Sequence, residues 1–139
     1  MAGATPVKEI TNLSQYMALV EGSHREVPFL LFRGQRTDET LLPKIARIHV
    51  APLRDGVEKA MLVEFKRMSK PLLREETRSD WDWLALAQHH GLATRLLDWT
   101  QNPLAALWFA VQRSPDGAAG GVVWVFRAQE DAFCRSKPR

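Results

Sequence analysis

Two helices with clear start signals, separated by a short polar segment, lie between residues 79 and 111 and constrain this chain more than any other feature. Ser79 precedes two aspartates, which suit the positive N-terminal end of a helix, and Gly91 is a residue type that commonly ends one. Asn102 and Pro103 form the cap-then-proline pair that opens a second helix, "NPLAALWFAV". The sequence therefore predicts two helices joined by "GLATRLLDWT".

A third helix is predicted near the N-terminus, in "TNLSQYMALVEG". Asn12 is the expected N-cap, Gln15 occupies the reciprocal capping position, and Gly22 is the expected end. Apolar residues recur there at helical spacing, at Leu13, Tyr16, Met17 and Val20. This segment is expected to be an amphipathic helix.

A fourth helix is expected to open at Asp55, which has Glu58 three residues later, and to end near Pro71. Its predicted buried stripe contains Val57, Met61, Phe65 and Met68. The preceding stretch, "LLPKIARIHVAPLRDG", is interrupted by two prolines, so we expect irregular or short helical structure there.

Two apolar runs in the sequence predict β-strands. "VPFLLFRG" ends at Gly34 and has the length of a buried strand, and "GGVVWVFRA" follows a loop rich in small residues. Helices and strands are thus mixed along the chain, which is compatible with an α+β or an α/β protein. The predicted fold class is α+β, a small mixed sheet with about four helices.

Composition bounds the class of protein further. A chain of 139 residues with 45% hydrophobic residues is expected to form one domain, residues 1–139. The single cysteine, Cys134, cannot form an internal disulfide, and no run of apolar residues suits a membrane span or a leader, so we expect a cytoplasmic protein without a membrane partner. The net charge of +3 is dominated by arginine, which suits anionic ligands.

The joining segment is the first candidate for a functional site. "TRLLDWT" is expected to be a strand or an extended segment between the two helices, in which alternation would place Arg95, Leu97 and Trp99 on one face, and Thr94, Leu96, Asp98 and Thr100 on the other. Arg95 and Asp98 fit either a buried ion pair that stabilises the fold or a ligand site. Arg33 and Arg47 are alternative partners for Asp98.

Histidines and tryptophans have structural interpretations beside the functional ones. His89 and His90 fall in the last turn of a helix, where histidine suits the negative dipole end, although His90 is also a candidate ligand contact. No second Cys or His lies at ligand spacing, so no metal site is predicted. The five tryptophans lie in apolar patterns and are expected in the core rather than in a stacking surface for bases.

Arg33 and Gly34 form the second candidate site. A guanidinium at the tip of an apolar strand, beside a residue without a Cβ, leaves room for a ligand to approach the backbone. The ligand-binding candidates are therefore Arg33, Gly34, His90, Thr94, Arg95, Asp98 and Thr100, and no catalytic residue is assigned.

Four segments closely resemble the FRG domain, a family of bacterial proteins named for its Phe-Arg-Gly motif. They are "FLLFRGQ" at 29–35, "LLPKIAR" at 41–47, "EFKRM" at 64–68 and "WDWLALAQHHGLATRLLDWTQNPLAALWFAV" at 81–111. The resemblance covers most of the chain from Phe29 to about Phe126. It implies membership of the family but no particular activity.

A more remote resemblance is to ADP-ribosyltransferases that consume NAD. "FRG" at 32–34 is similar to their aromatic-Arg-Gly strand and "ALWFA" at 106–110 to their Ala-x-x-Phe-Ala helix, which places Asp98, Trp99 and Thr100 at their Ser-Thr-Ser strand. The resemblance implies an ADP-ribosyltransferase-like fold with NAD as a cofactor, Arg33 on the pyrophosphate, and Thr100 and His90 near ribose. The strand that carries those enzymes' catalytic Glu is expected to be missing or truncated here, since Glu130 comes too early for that role.

Several functions therefore stay open. One is a binding or structural module with a buried Arg-Asp network, and another is a degenerate site for NAD, ADP-ribose or a similar anionic dinucleotide. An active transferase and a basic nucleic-acid-binding module are the alternatives.

Overall fold

The computed structural model describes residues 8–27, 29–48, 56–72, 79–112 and 121–128. Along these ranges the elements are α1 (Leu13–Glu26), β1 (Phe29–Gln35), α2 (Lys44–Arg47), α3 (Val57–Ser69), a 3-10 turn (Lys70–Leu72), α4 (Asp80–His89), α5 (Pro103–Val111) and β2 (Val122–Ala128). The predicted α+β class is confirmed by these helices and the antiparallel pair β1–β2. None of the helices in the described ranges has the length and apolar character needed to cross a membrane.

The chain divides into two compact units by internal contacts. Unit 1 combines Met1–Asp38 with Trp99–Arg139, and unit 2 is the continuous stretch Glu39–Asp98. Unit 1 contains α1, β1, α5 and β2, and unit 2 contains the remaining helices.

Helix α1 begins where predicted and extends past its expected end. The Asn12 side chain accepts the backbone N–H of Gln15, at 3.0 Å, as an N-cap should. The predicted end at Gly22 is wrong, because the helix continues to Glu26. An exposed helical glycine costs only about 1 kcal/mol, whereas the residue before a proline is sterically driven to extended backbone. Val27, which precedes Pro28, is extended and ends the helix.

The core of unit 1 lies on one face of the β1–β2 pair. Leu30 and Phe32 of β1 are almost completely buried there with three residues from the helices, Tyr16, Val20 and Ala106. The Tyr16 hydroxyl donates to the carbonyl oxygen of Pro103 at 2.8 Å, which links α1 to the first turn of α5. Helix α5 opens as predicted, with the Asn102 side chain accepting the N–H groups of two first-turn residues.

Unit 2 contains helices α3 and α4, with Phe65 of α3 edge-on to the buried Trp83 of α4 at 6.3 Å between ring centroids. Helix α4 begins with the predicted Ser79 cap, which forms a reciprocal capping box with Asp82. Gly91 follows its end at φ +90°, a backbone conformation that favours glycine. The expected opening of α3 at Asp55 lies outside the described residues.

Three expectations about side chains and strands are corrected. "TRLLDWT" is not a strand, since only Thr100 in it forms a bridge. Met68 of α3 is exposed, and among the five tryptophans expected in the core, Trp81 and Trp108 are exposed as well. Helices α4 and α5 are apolar on several sides, so the hydrophobic pattern alone does not select which side is buried.

Candidate functional site

Arg33 lies on the face of β1 opposite the core of unit 1. Alternation along a strand puts Leu30 and Phe32 on the core face and Leu31 and Arg33 on the other. The antiparallel register pairs Arg33 with Trp124 of β2, and paired residues share a face. The Arg33 side chain is half-buried there, and its Nε atom is buried.

Gly34 contacts helix α5 on the core face. A Cβ at this position would overlap the backbone carbonyl oxygen of Ala106 and crowd the backbone nitrogen of Ala110. The absence of a side chain therefore allows α5 to lie directly on β1. Helix α5 therefore fills the space beside Gly34 in which the sequence analysis expected a ligand.

Thr100 pairs with β1 on the edge opposite β2. Its N–H and C=O exchange hydrogen bonds with Phe32, at 2.9 and 2.7 Å, in an antiparallel bridge. Because directly paired residues share a face, this bridge sets the Thr100 side chain on the Phe32 side and away from that of Arg33. The Thr100 hydroxyl accepts the N–H of Asn102 at 3.1 Å, so it orders the start of α5.

Trp99, one residue earlier, lies on the Arg33 face. The register of the bridge sets Trp99 beside Arg33, and its ring contacts Phe126 of β2 at 5.9 Å between centroids. Phe126 alternates with Trp124 along β2 and pairs with Leu31, so all three side chains share the face with Arg33. We call Leu31, Arg33, Trp99, Trp124 and Phe126 the aromatic face.

The other four candidates belong to unit 2, where the structure supplies partners that the sequence analysis did not name. The backbone N–H and Nε of Arg95 both donate to the carboxylate of Glu58, which is 9% exposed. Asp98 accepts a hydrogen bond from the side-chain amide of Gln88, whose oxygen accepts the hydroxyl of the buried Thr94. The acidic partner of Arg95 is therefore Glu58, a residue that the sequence analysis did not consider for this role.

His90 is the C-cap of α4, as its position in the sequence predicts. Its backbone N–H donates to the carbonyl oxygen of Leu86 at 3.1 Å. The exposed imidazole lies near Phe65 and edge-on to His89, at 6.2 and 5.4 Å between ring centroids. These contacts give His90 a role in ending α4 and covering Phe65.

Sequence reasoning missed Glu58, which binds Arg95 in unit 2, and also Trp124 and Phe126 of the aromatic face. Glu58 was interpreted as a helix-capping residue, although it lies between the apolar positions Val57 and Met61 and so beside the buried stripe. Trp124 and Phe126 alternate in β2 at positions i and i+2, a spacing that predicts a shared face. Their proximity to Arg33 required the strand register, which the sequence does not specify.

Comparisons with known proteins identify one family. The family model described as the FRG domain matches residues 29–118, well over half of the chain. No curated protein and no solved structure matches the chain. The resemblance to ADP-ribosyltransferases is not supported by these comparisons. The match includes strand β1 with Arg33, the whole of unit 2 and helix α5. The chain therefore belongs to the FRG domain family.

Proposed function

We propose that this chain is a binding module that holds an oxyanion at Arg33, with the pyrophosphate of NAD or ADP-ribose as the candidate group. The observation that carries the proposal is the position of a half-buried guanidinium on the aromatic face, where Trp99 lies beside it and Trp124 is its cross-strand neighbour. A planar guanidinium donates two parallel hydrogen bonds to a phosphate or carboxylate.

The surroundings of Arg33 favour a bound anion. Apolar rings lower the local dielectric, so a charge-assisted hydrogen bond is stronger there than in water. They also restrict the rotamers of the arginine, which reduces the entropy lost on binding.

Calorimetry with NAD and ADP-ribose tests this proposal. The wild-type chain is expected to bind at least one of them, and Arg33→Lys should weaken that binding about tenfold or more, because an ammonium cannot reproduce the two-pronged contact. Arg127→Lys is the matched control: Arg127 lies on β2, pairs with Leu30 on the opposite face, and contacts Glu26 at 2.7 Å. This control should bind as the wild type does.

A purely structural role for Arg33 predicts a different result. In that case neither nucleotide binds at millimolar concentration, while Arg33→Lys lowers the midpoint of unfolding. That pair of results would exclude the proposal. Binding of equal strength in wild type and Arg33→Lys would exclude it as well.

A further inference from the structure

Trp124 carries a hydrogen-bond donor on its buried indole nitrogen. Its indole Nε1 is buried and has no hydrogen-bond partner in the part of the chain that the structure describes. Buried N–H groups in native proteins nearly always have an acceptor, and one without an acceptor is unfavourable. An acceptor from outside the chain would remove that penalty.

The position of Trp124 indicates which acceptor would fit. Trp124 and Arg33 are direct cross-strand partners, and such residues have their Cβ atoms about 4.5 to 5.5 Å apart. An oxyanion has enough lone pairs to accept from the guanidinium and from the indole N–H together, and its charge suits the arginine.

Phe126 adds an exposed aromatic ring to this face. It lies two residues beyond Trp124, about 7 Å along the strand, and its side chain is on the same face. Phe126 is 48% exposed, although its ring also contacts that of Trp99. An exposed aromatic ring near a phosphate-binding group can stack on a nucleic-acid base, whichever base it is.

We infer that the aromatic face is a nucleotide site, in which Trp124 donates its indole N–H to the phosphate held by Arg33 and Phe126 stacks on the base. This inference rests on the proposed function, because it needs an anion at Arg33. It adds the two residues that determine specificity, Trp124 for the phosphate and Phe126 for the base.

Two probes separate the phosphate contact from the base contact: inorganic pyrophosphate and ADP-ribose, titrated by calorimetry into the same chain. Wild type is expected to bind ADP-ribose about tenfold more tightly than pyrophosphate, because only ADP-ribose has a base to stack. Phe126→Leu should remove most of that difference and leave pyrophosphate binding unchanged. Trp124→Phe, which keeps a ring but loses the N–H, should weaken both ligands severalfold.

Trp108→Phe is the control for these variants, since Trp108 lies on α5, is 60% exposed, and is not part of the aromatic face. It should bind both probes as the wild type does. Thermal unfolding of each variant shows whether it is folded at the temperature of the titration.

Nuclear magnetic resonance gives a readout that does not depend on the variants being stable. The indole N–H resonance of Trp124, assigned through correlations within the wild-type chain, should shift when pyrophosphate is added. If that resonance does not move while pyrophosphate binds, Trp124 is not a donor to the anion and the inference is wrong.

Failures of the two proposals are distinguishable. If neither probe binds to wild type, the proposed function fails and the inference fails with it. If both probes bind in a manner that depends on Arg33 but not on Trp124 or Phe126, the anion site stands and the nucleotide site is excluded. Equal affinity for pyrophosphate and ADP-ribose in wild type also excludes the role of Phe126.

Discussion

Single polar side chains connect distant parts of the sequence within each unit. In unit 1 the Tyr16 hydroxyl donates to Pro103, 87 positions later in the chain. In unit 2 the Glu58 carboxylate accepts two donors from Arg95, 37 positions later. Both side chains are buried, so each hydrogen bond is made where water competes little.

The ionisation of Tyr16 should change the free energy of unfolding at high pH. Burial raises the pKa of Tyr16 to about 12, from the ordinary tyrosine value of 10.0. Because the folded pKa lies above that of the unfolded chain, the stability from the neutral phenol is fully present below pH 10 and is lost as the pH rises through 12. Chemical denaturation across this range should therefore show falling stability.

Absorbance of the tyrosinate measures the same event directly, since Tyr16 is the single tyrosine in the chain. The titration should have its midpoint near pH 12 in the folded protein and near pH 10 in concentrated denaturant. Tyr16→Phe should flatten the alkaline loss of stability. A folded-state midpoint near 10 would show that the phenol is solvated, contrary to the structure.

At the scale of elements, the contact between α5 and β1 decides how unit 1 is built. Gly34 brings the α5 backbone directly against the strand, and Gly121, just before β2, likewise has no room for a Cβ because of the carbonyl of Ala110. The small residues Ala106 and Ala110 are the buried positions of α5. Small residues on both sides allow the helix and sheet to approach closely.

Gly34→Ala tests that packing. The added methyl overlaps backbone atoms, which cannot move aside as a side chain can, so we expect a loss of about 3 kcal/mol or more in the free energy of unfolding. Gly22→Ala is the matched control, because a Cβ at this helical position meets nothing within 4 Å. It should stabilise the chain by about 0.5 to 1 kcal/mol. Urea denaturation of both variants is the measurement, and equal stabilities would contradict the close approach.

At the scale of the whole molecule, the chain crosses between its two units twice, after Asp38 and after Asp98. Unit 2 is thus an insertion into unit 1, with its own buried side chains at Glu58, Trp83 and Thr94. Compact regions with separate internal contacts often open as separate cooperative units in hydrogen exchange.

Glu58→Ala should loosen unit 2 selectively. Removing the carboxylate leaves the N–H of Arg95 without its acceptor, at a cost of about 1 to 3 kcal/mol. Hydrogen exchange should then rise in α3, α4 and residues 92–96, while amides in β1 and β2 keep their protection. Glu64→Ala is the control, since Glu64 is an exposed residue of the same helix, paired with Arg67. Equal acceleration in β1 and β2 would show that the chain opens as one cooperative unit.

The sequence by itself determined the type and position of most elements in the described ranges. The Asn12, Ser79 and Asn102 caps are local, because each side chain bonds to a backbone group two or three residues away. The same holds for the turn at Gly91, whose positive φ is a property of one residue. Local chemistry of this kind can be read without knowing the fold, which is why the predicted starts of α1, α4 and α5 are confirmed.

Only the tertiary structure decided which candidate residues meet. The sequence predicted a strand or an extended segment at "TRLLDWT", but a strand requires a partner along its length, and in this segment only Thr100 forms a bridge. The pairing of Arg33 with Trp124 depends on a register between segments about 90 residues apart, and a shift by one residue would reverse the faces. Arg95 binds Glu58 because the fold brings that carboxylate close to it, although Glu58 is 37 positions away in the sequence. Side-chain type is local information, whereas register and burial are set by the packing of the whole chain.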